Sequence, residues 1–300
     1  MVRFLSDGYD RNMLSYLHGF HAGNAADVLK HSVLIFCLSY LKKKEKPLLC
    51  VDTHAGAGFY DLSGTAGGSV GAQSNEWEQG IGRLQRTAEK LPPIISEYVN
   101  FSEERRYSGS PVIMARMLEK GDRLVCFELH PREYEVLKIS MAEVRGEGAE
   151  KHSVEVRRED GPEGLKSLLP PPSRRGLIFI DPSWEEQSEY RNIAQAVQSG
   201  LTRFPEGTFI IWYPLLALPK GKSAVPSQLR DVLFGLSGGK RCRAELYKQV
   251  AENSPRLMYG SGLVIYNPPW TLRAALEEAL PCLEKILGDS GGGWHLDWEL

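Results

Sequence analysis

Paired cysteines are missing from this 300-residue chain. The five present, Cys37, Cys50, Cys126, Cys242 and Cys282, are odd in number and none falls in a Cys-x-x-Cys spacing. That pattern excludes a disulfide scaffold or thiolate zinc site and suits reduced thiols used as small hydrophobes. No apolar run is long enough to cross a bilayer. Met1 to Asn12 carries Asp7 and Asp10 without an apolar stretch, so no signal peptide is expected there. An excess of one charge is lacking too. The formal net charge of −2 excludes a wholesale polycation, while leaving room for a local phosphate-binding patch. Internal repeats are absent, and Pro170-Pro171-Pro172 reads as a short rigid lead-in to a strand. These absences point to a soluble cytoplasmic protein with no membrane partner; no metal and a monomer are separate expectations.

What is present is an alternation of strand-length apolar runs with helical patterns. The clearest runs are Leu48 to Asp52, Arg123 to Glu128, Ser153 to Arg157, Gly176 to Asp181, Thr208 to Tyr213 and Leu263 to Tyr266. Continuous apolar character suits strands covered on both faces, and the alternation implies right-handed βαβ units. A seventh strand is expected near Ala244 to Val250, paired as an edge hairpin with Leu263 to Tyr266. The expected fold is therefore α/β, with a seven-stranded, mostly parallel sheet. Residues 1–46 divide off as a polar motif plus a helix, with Asn24 as its N-cap. Residues 47–300 carry the sheet, interrupted after the first strand by a helical insertion over about 61–117. Helical patterning in the insertion covers Glu76 to Lys90 and Ile94 to Glu104.

Four strands end in acids: Asp52, Glu128, Asp160 (in Glu159-Asp160-Gly161) and Asp181. In open α/β sheets the carboxyl edge is where ligands bind. The turn Asp52-Thr53-His54-Ala55-Gly56-Ala57-Gly58 lets the backbone approach a ligand closely. Asp61 stands where a dinucleotide fingerprint would have its third glycine. Glu128 is placed to accept from ribose hydroxyls, and Asp160 from an adenine amine. So many carboxylates favour a neutral-to-cationic nucleoside ligand such as S-adenosylmethionine over a pyrophosphate.

Asp181-Pro182-Ser183-Trp184 resembles the Asp-Pro-Pro-Tyr signature of methyltransferases acting on the adenine amine, with Ser183 in place of the second proline. The stretch Met13 to His31 closely resembles the amino terminus of the bacterial 23S ribosomal RNA adenine-N6 methyltransferase family, RlmJ. Similar blocks follow in the same order: Asp52 to Gly58, Gly109-Ser110-Pro111, Glu128 to Pro131, Ser173 to Leu177, Trp212-Tyr213-Pro214 and Asn267 to Trp270. The resemblance implies a class I, Rossmann-like methyltransferase that uses S-adenosylmethionine on 23S ribosomal RNA. It implies Asp181 as catalytic residue, and His31, His54, Ser110, Glu128, Asp160 and Gly161 along the cofactor. Tyr16 would contact the RNA, with Lys30 near the reaction, and Trp184 would stack on the base. Met1 to Asn12 has no counterpart in the family pattern.

Three features compete with this reading. Asn267-Pro268-Pro269-Trp270 matches the signature more literally than Asp181 to Trp184, yet follows the last expected strand. His18, His21, Asp27 and His31 invite a metal reading, which their split between loop and helix disfavours. Basic pairs are scattered, and Arg105-Arg106 in the insertion is the one expected to track RNA phosphates. A DNA adenine methyltransferase would share the same chemistry, and a non-catalytic relative would share the same folds.

Overall fold

The computed structural model describes residues 21–62, 76–103, 106–146, 152–184, 187–216, 225–248, 258–288 and 291–299. In chain order the elements are α1 (Ala25–Lys42), β1 (Leu49–Asp52), β2 (Phe59–Asp61), α2 (Glu76–Gln79), α3 (Ile81–Arg86), α4 (Pro93–Asn100), β3 (Arg106–Ser108) and α5 (Ser110–Met117). There follow β4 (Arg123–Phe127), α6 (Pro131–Gly146), β5 (Ser153–Arg157), α7 (Gly161–Leu168), β6 (Gly176–Ile180), α8 (Gln187–Arg203) and β7 (Thr208–Leu216). The chain closes with α9 (Val225–Phe234), β8 (Arg241–Tyr247), β9 (Met258–Tyr266), α10 (Leu272–Leu287) and β10 (Gly293–Glu299).

The main sheet runs β10-β8-β9-β7-β6-β1-β4-β5. Strands β5, β4, β1, β6 and β7 are mutually parallel, whereas β9 lies antiparallel between β7 and β8. The chain order reverses at β1, which pairs with β4 on one side and β6 on the other. That reversal opens the crevice in which such sheets hold ligands. All five residues of β6 are buried, as are all four of β1. Each large apolar side chain buried there contributes about 1.5–3 kcal/mol.

Two expectations are corrected. The main sheet has eight strands, not seven: β10 pairs antiparallel with β8, so the β8–β9 hairpin is not the edge of the sheet. The insertion is not purely helical, because β2 and β3 form a two-stranded antiparallel ribbon across it. Its expected helix from Glu76 to Lys90 also breaks at Gly80. Any side chain at Gly80 would run into the backbone of Gly23 and Asn24, while the Ile81 amide donates to the Gly23 carbonyl at 2.9 Å. The insertion is thereby fastened to the start of α1.

Helix α1 begins as the sequence anticipates. Asn24 Oδ1 accepts from the Ala26 and Asp27 amides at 2.9 and 3.1 Å. Most of the helix is buried, and its apolar residues belong to the same core cluster as the sheet. Its last turn is anchored by Lys42, which donates to Asp122 Oδ2 at 2.5 Å. Buried Asp122 also accepts from the Leu48 and Glu119 amides, each at 2.9 Å, tying α1 to the starts of β1 and β4.

Candidate active site

Because β6, β1, β4 and β5 are neighbours, their acids line one edge in the spatial order Asp181, Asp52, Glu128, Asp160. Glu128 Oε2 accepts from the Gly56 amide at 2.8 Å, and Oε1 from the His130 amide at 2.7 Å. Gly56 and Gly58 both hold positive φ, a turn that favours glycine. Asp160 caps α7 by accepting from the Glu163 amide at 2.9 Å, and its residue is exposed. His54 Nδ1 shares a 2.8 Å hydrogen bond with the Thr53 hydroxyl, and burial pulls the imidazole down to about 3, so it is neutral at ordinary pH. Gly161 sits against the Thr53 backbone, where a Cβ would overlap the carbonyl oxygen. Gly161→Ala is therefore expected to push α7 off the β1 turn. Cofactor affinity, measured calorimetrically, should fall about tenfold or more, in line with overpacking costs of 1–3 kcal/mol.

Asp52 is fully buried. Its Oδ1 accepts from the His54 amide at 3.3 Å, while Oδ2 has no hydrogen-bond partner among the described residues. Burial drives its carboxyl up to about 7; the Ser110 hydroxyl counters this, and the charge of Asp181 adds to it. The raised value has a defined consequence for the cofactor-free protein. The folded state holds this proton more tightly than the unfolded chain, so the associated stability is present at low pH. It is lost as pH rises from about 4 through about 7. At roughly 1.4 kcal/mol per unit the loss is of order 4 kcal/mol. Urea unfolding at pH 5 and pH 8 should therefore show wild type losing more stability than Asp52→Asn; parallel slopes would contradict the assignment.

At the other end of the row, Lys30 reaches in from α1. Its Nζ lies 2.7 Å from Asp181 Oδ2 and 2.8 Å from Asp27 Oδ1, with all three side chains nearly covered. The ammonium also sits 4.8 Å from the centre of the Trp212 ring. Asp27 Oδ2 in turn accepts from the Gly23 amide at 2.8 Å. Such a buried pair holds only because each charge is compensated. The sequence marks Asp27 within the disfavoured metal group and gives it no such role. Its spacing of three from Lys30 was the available signal.

Lys30 and Asp27 line a cavity of about 460 Å³, with Ser183, Trp184, Trp212 and Pro214 among its other walls. Trp184 does not offer the open stacking face expected of it. It is 5% exposed, its indole N–H donates to the Trp212 carbonyl at 3.1 Å, and Tyr190 packs against it at 5.1 Å between ring centres. The Ser183 hydroxyl donates to Glu189 at 3.3 Å. His31 is buried away from solvent, its Nδ1 2.6 Å from the Tyr107 hydroxyl and its ring stacked on Tyr107. Tyr16 and His18 lie outside the described residues. Among the described residues no group of three His, Cys, Asp or Glu is placed to hold a metal ion.

The literal copy of the signature is at the wrong edge of the sheet. Since β9 runs antiparallel to β7, Tyr266 pairs with Phe209, and Asn267 falls beside the start of β7. There Asn267 Nδ2 donates to the Pro205 and Gly207 carbonyls, each at 2.7 Å, closing a turn. Asn267→Ala should leave methyl transfer near the wild-type rate and cost stability instead, about 1–3 kcal/mol for the carbonyls it abandons. Arg106, expected on the RNA surface, makes a two-pronged pair with Glu143 at 2.5 and 2.6 Å and lies over the Phe59 ring. Arg105 is outside the described residues.

Residues 45–300 match the family described as "Ribosomal RNA large subunit methyltransferase D, RlmJ". The chain is 39% identical over 297 residues to "Ribosomal RNA large subunit methyltransferase J" of Haemophilus influenzae, covering 95% of this chain and 99% of that one. The Escherichia coli K12 protein of the same name is 36% identical over 290 residues, covering 94% and 96%. The chain belongs to the RlmJ family. A crystal structure of a protein from Legionella pneumophila str. Philadelphia 1 superposes with a TM-score of 0.79 at 34% identity, covering 93% of this chain and 98% of that one.

An RlmJ-family enzyme uses S-adenosylmethionine, and the acid row fits that group. The buried Oδ2 of Asp52 has no hydrogen-bond partner among the described residues. A nucleoside bearing hydroxyl and ammonium donors answers such a set of acceptors. A pyrophosphate would add charge to Asp52, Glu128 and Asp181. In this RlmJ-family chain Glu128, Asp52 and Asp160 lie along one side of the row, and Asp181 at its end is joined to Lys30, which lines the cavity.

Proposed function

We propose that this chain methylates the N6 amine of one adenine in 23S ribosomal RNA, with Asp181 as its catalytic residue. The observation that carries the reading is the buried Lys30–Asp181 pair, which joins the end of the acid row to a side chain lining the 460 Å³ cavity. Adenine N6 is a poor nucleophile because its lone pair is delocalised into the ring. Asp181 and the Pro182 carbonyl, at the exit of β6, accept from the amine hydrogens and turn the lone pair toward the cofactor half. S-Adenosylmethionine, when bound, supplies an activated methyl group on a sulfonium. Positioning the amine in line with that group provides much of the rate. Lys30 fixes the direction of the Asp181 carboxylate, and Asp27 holds Lys30. Glu128, Asp52 and Asp160, with the His54 and Gly161 backbone beside them, hold the nucleoside part of the cofactor. Ser183 in place of proline leaves both acceptors in the exit, so activity is retained. The target base must leave its stack to enter the cavity, which suits single-stranded or unfolded RNA.

One chain carries both halves of the site, so a monomer suffices for the proposed reaction, with the cytoplasm, where ribosomal RNA is made, as its place of action. The test is transfer of tritium from labelled S-adenosylmethionine to RNA from a strain lacking the enzyme, followed by mass-spectrometric mapping of the modified nucleotide. Label in one adenine of 23S RNA is the expected result. Label in DNA would identify a DNA methyltransferase, and cofactor binding without incorporation would identify a non-catalytic relative.

A further inference from the structure

Beyond Lys30 the cavity continues along strands that the catalytic row does not use. Its far wall is built from the β8–β9 hairpin, including Tyr247, Lys248 and Tyr259. A second hollow of about 360 Å³, containing Arg230 and His295, shares Tyr247 and Tyr259 as walls. The two tyrosines thus stand between both spaces, their ring centres 6.4 Å apart and set edge to face.

The surrounding strands make room for these rings. Tyr247 is flanked in register by Gly260 of β9 and Gly293 of β10. A Cβ at Gly260 would come within 2.6 Å of the Tyr247 Cβ, and one at Gly293 within 2.7 Å of its ring. Glycine inside a strand weakens it, and recurs where a ligand or another backbone must come close. The hairpin is nevertheless held firmly, the Lys248 amide donating to the Tyr259 carbonyl at 2.6 Å. Arg230 lies close enough to Tyr259 for its charge to act on the phenol. Both tyrosines are only half buried, in contrast to the covered Trp184 and Trp212.

A cavity of 460 Å³ is of a size that takes a drug-sized ligand, more than one flat base. Given an RNA substrate, the next ring along the chain is that of a neighbouring nucleotide. We infer that Tyr247 and Tyr259 form a stacking subsite for a nucleotide flanking the target adenine, with Lys248 and Arg230 at its rim. The inference rests on the RNA reading above. It assigns the hairpin the task of gripping the strand, separate from the chemistry at Asp181. Stacking reads no hydrogen-bond edge, so the subsite tolerates any base there but requires one.

The test uses the full chain and a single-stranded RNA fragment with one central adenine, made in three forms: intact, and abasic at the 5′ or at the 3′ neighbour of that adenine. Dissociation constants are measured by fluorescence anisotropy without cofactor. One abasic form should bind wild type about 5- to 100-fold more weakly, the range that loss of one base–aromatic stack implies. Tyr259→Leu should weaken the intact RNA by a similar factor and lose little more with that abasic form. Tyr259→Phe should bind as wild type does, and cofactor affinity should not move in either variant. Equal binding of all three RNAs by wild type overturns the inference without any variant. Multiplying effects of Tyr259→Leu and the abasic site would overturn it as well. Because binding is read without turnover, failure of methyl transfer would sink the proposed reaction and leave this subsite judged on its own result.

Discussion

Asp181→Ala is expected to lower kcat for RNA methylation by about 10²- to 10³-fold, the cost of removing one preorganised polar group from a reacting centre. Affinity for S-adenosylmethionine should change little, because Glu128 and Asp160 are held by their own backbone partners and not by Asp181. The fold should survive, since Lys30 retains Asp27 at 2.8 Å and is not left as an orphaned charge. Asp181→Asn keeps one carbonyl acceptor but loses the charge that faces Lys30, and should fall between wild type and alanine. Single-turnover tritium transfer at saturating RNA, beside calorimetric titration of the cofactor, reads the two quantities separately. A wild-type kcat in Asp181→Ala would remove the residue from the mechanism.

Asp122→Ala should produce the largest loss of stability without touching the chemistry. Its buried carboxylate serves three elements at once, accepting from Lys42, the Leu48 amide and the Glu119 amide. Alanine leaves the mostly covered Lys42 ammonium with Glu119 alone, at 3.1 Å, and two backbone N–H groups to find other partners. Breaking a buried pair from one side typically costs about 3–5 kcal/mol. The midpoint of urea unfolding should drop accordingly, with kcat close to wild type at a temperature where the variant is still folded. Asp122→Asn, which can still accept at one oxygen, should recover part of the loss. A stability change below about 1 kcal/mol would mean that water replaces the clamp.

The parallel half of the sheet was legible because β1, β6 and β7 are continuous apolar runs, and because acids close β1, β4 and β6; β5 is polar and half-buried, and its acid Asp160 follows three residues later as the N-cap of α7. Their spatial row then follows from the chirality of βαβ connections. Strand β10 was missed although Trp294, Leu296 and Trp298 alternate with polar neighbours as a one-sided strand should. All three are partly buried against the core. It lies after the last helix and behind Gly291-Gly292-Gly293, where the sequence has the character of a tail. The break at Gly80 was hidden for a different reason: the backbone it must avoid belongs to Gly23 and Asn24, more than fifty positions earlier. In the same way no local pattern reveals that His31 pairs with Tyr107, or that the Trp184 indole is consumed by the Trp212 carbonyl. Residue types at the site were readable; the long-range partners that decide which faces stay open were not. The two candidate signatures show the limit most plainly. Asp181 and Asn267 differ little as words, and only the antiparallel direction of β9 sends the second to the opposite edge.

Lys30 and Asp181 are separated by 151 positions in the chain. During synthesis at about 5–20 residues per second, α1 therefore waits some 8–30 seconds before its catalytic partner has even been made. Through that interval the ammonium of Lys30 lacks Asp181, and the helix that carries it lacks β9 and α10, which pack against it. The newborn chain cannot possess half an active site. Its catalytic pair closes late, when the first helix of the described fold is finally roofed by strands translated long after it.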